Sequence, residues 1–215
     1  MKIAIFGKTF SKDFTDNITS LFDKLHENQV SILLHRDFAD FLINERGVKP
    51  ENWEYFGQRD ELPADVNFLF SLGGDGTFLE AVTMVRQLGI PILGINTGRL
   101  GFLANISRHE ISEAMDELFS GNYVLEDRAL IRMNTSEGPL DELNTALNEV
   151  TIHKKNVSMI TVQTELNGEY LNSYWADGLI ISTSTGSTAY SMSVGGPIML
   201  PETRNFIISP VAPHN

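Results

Sequence analysis

The chain reads as an α/β protein: a Rossmann-like α/β domain followed by a β-rich, antiparallel, sandwich-like domain. Three observations predict it. Up to Gly121, short apolar runs alternate with helically spaced apolar residues, the signature of parallel strands joined by crossover helices. Beyond Tyr123 the period changes to two, as in antiparallel strands with one covered face. Glycines gather at positions 73, 74, 76, 89, 94, 98 and 101, in and around predicted strand ends. The boundary is placed near Gly121, with residues 1–121 in the first domain and 122–215 in the second.

Lys2–Phe6 is a predicted strand. Phe14, Ile18, Leu21, Phe22 and Leu25 share one face of a helix over Phe14–Leu25, which returns the chain to a second strand, Ser31–Leu34. Phe38–Ile43 is a shorter helical piece. Asn44–Pro63 is polar, lacks a period and is expected to be a surface excursion. Val66–Leu72 is a third strand, a helix starts near Phe78 and runs to Leu88, and Ile90–Ile95 is a fourth strand. Ser107 and Glu110 form a capping box for a helix through Phe119, and Gly121 stops it. Tyr123–Arg132, Ala146–His153, Met159–Leu166 and Tyr170–Trp175 are predicted antiparallel strands, the last two joined at Asn167-Gly168 by a turn that needs positive φ. Phe206–Pro210 reads as the start of a further strand. A segment closing the second domain is expected beyond Asn215.

Composition narrows the function. Sixteen Lys and Arg against 28 Asp and Glu give a formal charge of -12, so the surface repels nucleic acid and anionic lipid, and an anionic ligand must be held locally. No apolar run approaches the ~18 residues of a membrane span, and Met1–Gly7 is too short for a signal peptide, so a cytoplasmic protein is expected. There are no cysteines, and the five histidines show no ligand spacing; no structural transition metal is expected.

Two segments carry chemistry. In Leu72-Gly73-Gly74-Asp75-Gly76-Thr77 the glycines let main-chain N–H groups approach a phosphate, aided by the following helix N-terminus. Asp75 would repel that phosphate unless it faces a metal or takes a proton from a hydroxyl, so the sharper reading is a general base toward an alcohol. The plainer reading is a tight turn with Asp75 capping the helix. Gly7-Lys8-Thr9 is no P-loop, because residue 2 is lysine where that motif needs glycine. The second segment is Asp177-Gly178, a buried run, and then Ser182 to Ser191, whose hydroxyls either serve a base, ribose or phosphate or form an ordinary polar turn. Between the two, Arg99 is in reach of a phosphate, and Phe102 either stacks on a base or fills the core. Asn148-Glu149 suits a grip on vicinal ribose hydroxyls, or else is a polar pair on an edge strand.

Taken together, Gly73-Gly74-Asp75-Gly76-Thr77, Asn96-Thr97-Gly98-Arg99-Leu100-Gly101-Phe102, Asn148-Glu149, Asp177-Gly178 and Thr185-Gly186-Ser187-Thr188-Ala189-Tyr190-Ser191 resemble the NAD kinase family. The first motif alone is shared with phosphofructokinases and diacylglycerol-type lipid kinases. The resemblance implies ATP-dependent phosphorylation of the 2′-hydroxyl on the adenosine ribose of NAD, with a divalent metal, usually Mg²⁺. It implies that Asp75 is the base, with Gly74 and Gly76 beside it, and that Phe102 lies near the adenine. It assigns dinucleotide contacts to Asn148, Glu149, Asp177, Thr188, Ala189, Tyr190, Ser191, Met192 and Ser193, with no protein metal ligand. A homodimer or homotetramer is implied as well. Ser184 stands where the family usually has proline and is expected to loosen its turn; Trp175 stands where relatives often carry a basic residue. A sugar or lipid kinase sharing only the first motif, and a dinucleotide sensor without transfer, are the alternatives.

Overall fold

The computed structural model describes residues 1–57, 62–136 and 144–214. The chain divides into two compact units, Met1–Leu125 and the residues from Glu126 onward.

In the first unit the strands are β1 (Lys2–Gly7), β2 (Ser31–His35), β3 (Trp53–Phe56), β4 (Phe68–Gly73) and β5 (Ile92–Asn96). They form one parallel sheet in the order β3-β2-β1-β4-β5. The helices are α1 (Thr15–Glu27), α2 (Arg36–Phe41), α3 (Asp75–Val85) and α4 (Ile111–Ser120), with a π-helical turn at Leu42–Arg46. Side chains of β1 alternate between two cores. Ile3 and Ile5 pack with Phe14, Ile18 and Leu21 of the α1 region and Met115 of α4, whereas Ala4 and Phe6 pack with Ala81 and Val85 of α3. The sheet is thus covered on both faces, which is why its central strands are continuous apolar runs.

Three local expectations change. The excursion over 44–63 contains β3, a four-residue edge strand hydrogen-bonded to β2, while its residues 58–61 lie outside the described part. The helix after β4 begins at Asp75, not near Phe78. At α4 the Glu110 carboxylate accepts from the Ser107 N–H at 2.9 Å, but the serine hydroxyl closes no box, and the helix starts at Ile111. Gly121 ends α4 at φ +78°, with its N–H and that of Asn122 donating to Leu118 and Glu117 carbonyls.

In the second unit β6 (Ile131–Arg132) pairs with β7 (Thr145–Ala146), and β8 (Glu149–His153) and β12 (Ile207–Val211) flank β11 (Gly178–Ser182). β9 (Ile160–Leu166) and β10 (Glu169–Ala176) form a hairpin turned by Asn167 and Gly168 at φ +55° and +87°. All these pairs are antiparallel. Two predicted strands are corrected. Of Tyr123–Arg132 only Ile131–Arg132 pairs, and Val124 is 93% exposed, because alternation without a partner strand makes no ladder. Ala146–His153 is broken at Leu147-Asn148, where the carbonyls accept instead from Thr183 and Ser182.

Candidate active site

In the first unit the site begins where β4 ends. Gly73 and Gly74 carry the chain into α3, with Gly74 extended as the residue ahead of the helix. A Cβ on Gly74 or Gly76 would meet nothing within 4 Å, so this face of the turn is open. Helix geometry leaves the N–H groups of Asp75 and Gly76 without an intrahelical acceptor, while those of Thr77 and Phe78 donate to the Gly74 carbonyl. An open turn with free amides at a helix start is suited to a phosphate.

Asp75 does not cap α3, which sets aside the plainer reading of that residue. Its carboxylate turns to the loop after β5 and accepts three main-chain bonds: from Phe102 at 2.8 Å, Leu103 at 2.9 Å and Ala104 at 3.2 Å. That loop is folded by Asn96. Its buried carboxamide donates to the Arg99 carbonyl at 2.9 Å and accepts from the Gly98 N–H at 2.8 Å, and the Asn96 and Ile106 main chains then close the loop. Gly101 makes the approach possible, since any Cβ there would sit on the Asp75 carboxylate. A carboxylate offers about four lone-pair directions, so three bonds fix its plane and leave one direction for a substrate proton. Gly101→Ala should therefore keep the fold, with a melting temperature within a few degrees of wild type, and lower turnover by about 10-fold or more by displacing Asp75. Steady-state kinetics beside a thermal melt check this.

Phe102 is 69% exposed, so the core-filling reading fails; its N–H serves Asp75 and its ring is open to a ligand. The Arg99 side chain is exposed. Lys8 is paired with Glu80 at 2.7 Å and lies 5.4 Å from the Phe6 ring centre.

In the second unit the hydroxyl-rich segment is no ordinary polar turn. Ser182, Thr183, Ser184, Thr185, Ser187 and Ser191 are buried, and most of these hydroxyls bond within the unit. Thr183 donates to the Leu147 carbonyl at 2.6 Å and accepts from the Gly186 N–H, Ser187 accepts from the Met199 N–H at 3.0 Å, and Ser191 meets Ser209 at 3.2 Å. Ser184 does not loosen its turn: its hydroxyl donates to the Pro201 carbonyl at 2.9 Å, a tie that proline could not make. The segment folds as a 3-10 turn over Thr185–Thr188 and a helical turn, α5 (Tyr190–Ser193). Thr188 and Ala189 are half-buried, and Tyr190, Met192 and Ser193 are exposed. The Tyr190 ring stacks on His153, with centroids 6.0 Å apart.

Asn148 and Glu149 sit at the break before β8, where Ser182 is the strand partner of Glu149. One Glu149 oxygen, Oε2, is buried without a hydrogen-bond partner, and burial lifts the carboxyl above its usual range against a main-chain bond at Tyr190. A raised folded value means the charge is opposed in the native state. The resulting loss of stability is complete above the raised value and fades as pH falls to the ordinary carboxyl range. Glu149→Gln should therefore raise the melting temperature at pH 8, with the difference closing toward pH ~4.5; thermal melts across that range test it. Asp177 shows the opposite shift. A bond from Lys154 Nζ at 2.6 Å, helped by His214 at 3.6 Å, holds its carboxyl below the usual range despite some burial.

Residues 9–123 match the model of the ATP-NAD kinase N-terminal domain, and residues 147–215 match that of the ATP-NAD kinase C-terminal domain. The chain belongs to the ATP-NAD kinase family. Among relatives named NAD kinase in this family, that of Flavobacterium psychrophilum is 45% identical over 218 residues, all of this chain and 74% of its own length. That of Cytophaga hutchinsonii is 44% identical, again over all of this chain and 74% of its own. Two solved structures share the fold. Yeast NADH kinase complexed with NADH superposes with a TM-score of 0.86 at 24% identity, over all of this chain and 67% of that one. An NAD kinase from Archaeoglobus fulgidus in complex with ATP superposes with a TM-score of 0.74 at 25% identity, over all of this chain and 74% of that one. These matches favour neither the sugar- or lipid-kinase reading nor the non-catalytic sensor.

Proposed function

We propose that this protein is an NAD kinase that transfers the terminal phosphoryl group of ATP to the 2′-hydroxyl of the adenosine ribose of NAD, giving NADP. The reading is carried by Asp75, a carboxylate locked by three amides beside an open glycine turn in a chain of this family. Phosphoryl transfer asks an enzyme mainly for alignment and charge balance. Asp75 orients the ribose hydroxyl and takes its proton as the oxygen attacks. The free amides at the start of α3 receive phosphate oxygens. Arg99 adds positive charge, as does Lys8 once released from Glu80.

The dinucleotide is held by Asn148, Glu149, Asp177 and the segment Thr188–Ser193, and Phe102 covers the adenine. Glu149 Oε2 is a buried acceptor awaiting a donor, which a ribose hydroxyl supplies. Among the described residues no three His, Cys, Asp or Glu converge as metal ligands, and three of the lone-pair directions of Asp75 are taken. The divalent ion is assigned to the nucleotide: the donor substrate is MgATP, with the metal held through its phosphates.

We place the protein in the cytoplasm as a homodimer or homotetramer. Among the described residues no helix is long and apolar enough to cross a membrane. Apolar side chains left exposed on the second unit, such as Val157, Leu200 and Phe206, fit association between copies. The deciding assay offers MgATP with NAD, fructose 6-phosphate or diacylglycerol in parallel. NADP formation with no product from the other two is the expected result, and tight NAD binding without NADP would contradict it.

A further inference from the structure

Lys154 follows directly on β8, whose last residue, His153, is the strand partner of Gly178 at the start of β11. This register sets Lys154 against Asp177, and the lysine is tied to it twice. Its N–H donates to the Asp177 carbonyl at 2.9 Å, and its Nζ donates to Asp177 Oδ1 at 2.6 Å. The ammonium gives a further bond to the Val157 carbonyl at 3.2 Å, which folds the side chain back over the segment after β8. Only 26% of the Lys154 side chain is exposed, so this cation is held in place and not loose in solvent.

The ties converge on one oxygen. His214, anchored by its N–H to the Trp175 carbonyl at 2.9 Å, brings Nε2 to 3.6 Å from the same Oδ1, and the Asp177 N–H donates to the Val211 carbonyl at 2.9 Å. No described residue donates a hydrogen bond to Oδ2, and the Asp177 side chain is 31% exposed. The Lys154 bond keeps the carboxyl ionised, and an ionised carboxylate only accepts, so Oδ2 is open to an O–H or N–H donor. The neighbours of Asp177 are those of a binding face. A Cβ on the adjacent Gly178 would be 2.9 Å from His153 Nδ1, so the imidazole lies against the Gly178 main chain, and the Tyr190 ring stacks on that imidazole. A pair as exposed as Lys154 and Asp177 adds little to stability, which leaves the orientation of the carboxylate as the main effect of the lysine.

We propose that Lys154 is a positioning residue for the dinucleotide: it holds Asp177 by Oδ1, so that Oδ2 is left to accept one O–H or N–H of the ligand. The assignment rests on the NAD reading above, in which Asp177 contacts the dinucleotide. Lys154 itself does not touch the ligand. Without it the carboxylate samples several orientations, and binding has to select one of them. Asp75 and not Asp177 handles the reacting hydroxyl, so the loss falls equally on ground state and transition state: KM for NAD rises and turnover does not change.

The test measures NAD and ATP binding by calorimetry, with steady-state kinetics and a thermal melt on the same samples, for Lys154→Met, Lys154→Arg, Asp177→Ala and the Lys154→Met, Asp177→Ala double variant. Lys154→Met should weaken NAD by ~5-fold or more, leave ATP affinity and turnover within about twofold, and keep the melting temperature within a few degrees of wild type. Lys154→Arg retains the cation and should bind NAD within about twofold of wild type. In the Asp177→Ala background the lysine has nothing to position, so adding Lys154→Met should change NAD affinity by less than about twofold. Unchanged NAD affinity in Lys154→Met overturns the proposal. So does an additive loss in the double variant, an arginine variant as weak as the methionine one, or an equal loss for NAD and ATP, which would make the tie merely structural. The kinase reading is judged separately, on wild type alone. NAD binding with the expected cycle but no NADP refutes that reading while upholding the role of Lys154, and NADP formation with additive losses does the reverse.

Discussion

Asp75→Asn should lower turnover by ~10²-fold or more while NAD affinity stays within about tenfold, the usual size of a general-base contribution. The carboxylate is held by the N–H groups of Phe102, Leu103 and Ala104. An asparagine oxygen can keep the two bonds made to Oδ1, from Leu103 and Ala104. Its amide nitrogen then faces the Phe102 N–H, donor against donor, at a site where the aspartate bond is 2.8 Å long. The variant thus loses the proton acceptor and disturbs the loop at Phe102, which costs about 1–2 kcal/mol of stability. Single-turnover NADP formation isolates the first effect and a denaturant titration the second. Near-normal turnover in single-turnover conditions would remove Asp75 from the role of base.

Gly186→Ala should be the most damaging small change in the second unit, at about 3 kcal/mol. A Cβ at Gly186 would land on the carbonyl oxygen and carbon of Asn148. Those are backbone atoms, and the same carbonyl accepts from the Thr183 N–H at 2.9 Å and from the Ser182 hydroxyl. No flexible side chain can absorb the overlap, so the cost lies at the upper end of the ~1–3 kcal/mol for overpacking. Asn148 and Glu149 move with that carbonyl, and NAD affinity should fall by about tenfold or more. Chemical denaturation and NAD titration together test this; a wild-type midpoint would show that the segment yields more readily than its bonding implies.

Much of the first unit was legible in the sequence because its central strands are buried on both faces and its helices show one apolar face. Lys2–Phe6, Phe14–Leu25 and Ser31–Leu34 differ from the observed elements only at their ends. β3 escaped because an edge strand of four residues, with Glu54 and Tyr55 exposed, carries neither a long apolar run nor an alternation. Tyr123–Arg132 misled for the opposite reason: alternation describes two faces and says nothing of whether a neighbour exists to pair with. At the site, residue types and spacing pointed to Asp75 and to Asn148-Glu149. They could not reveal what holds Asp75, since the donors are main-chain amides 27 to 29 residues away and any residue but proline supplies one.

The central position of β1 also bears on how the protein matures. Strand β1 has β2 as its early neighbour, but its other edge waits for β4, and the Lys2–Asn67 bond at the start of that pairing spans 65 positions. Until then one apolar edge of the nascent sheet is uncovered and open to a wrong partner. The step that covers it also brings Gly7-Lys8 beside Leu72–Thr77. Closure of the sheet and placement of Gly7-Lys8 against the start of the Gly73–Thr77 turn thus arrive in a single late event of synthesis.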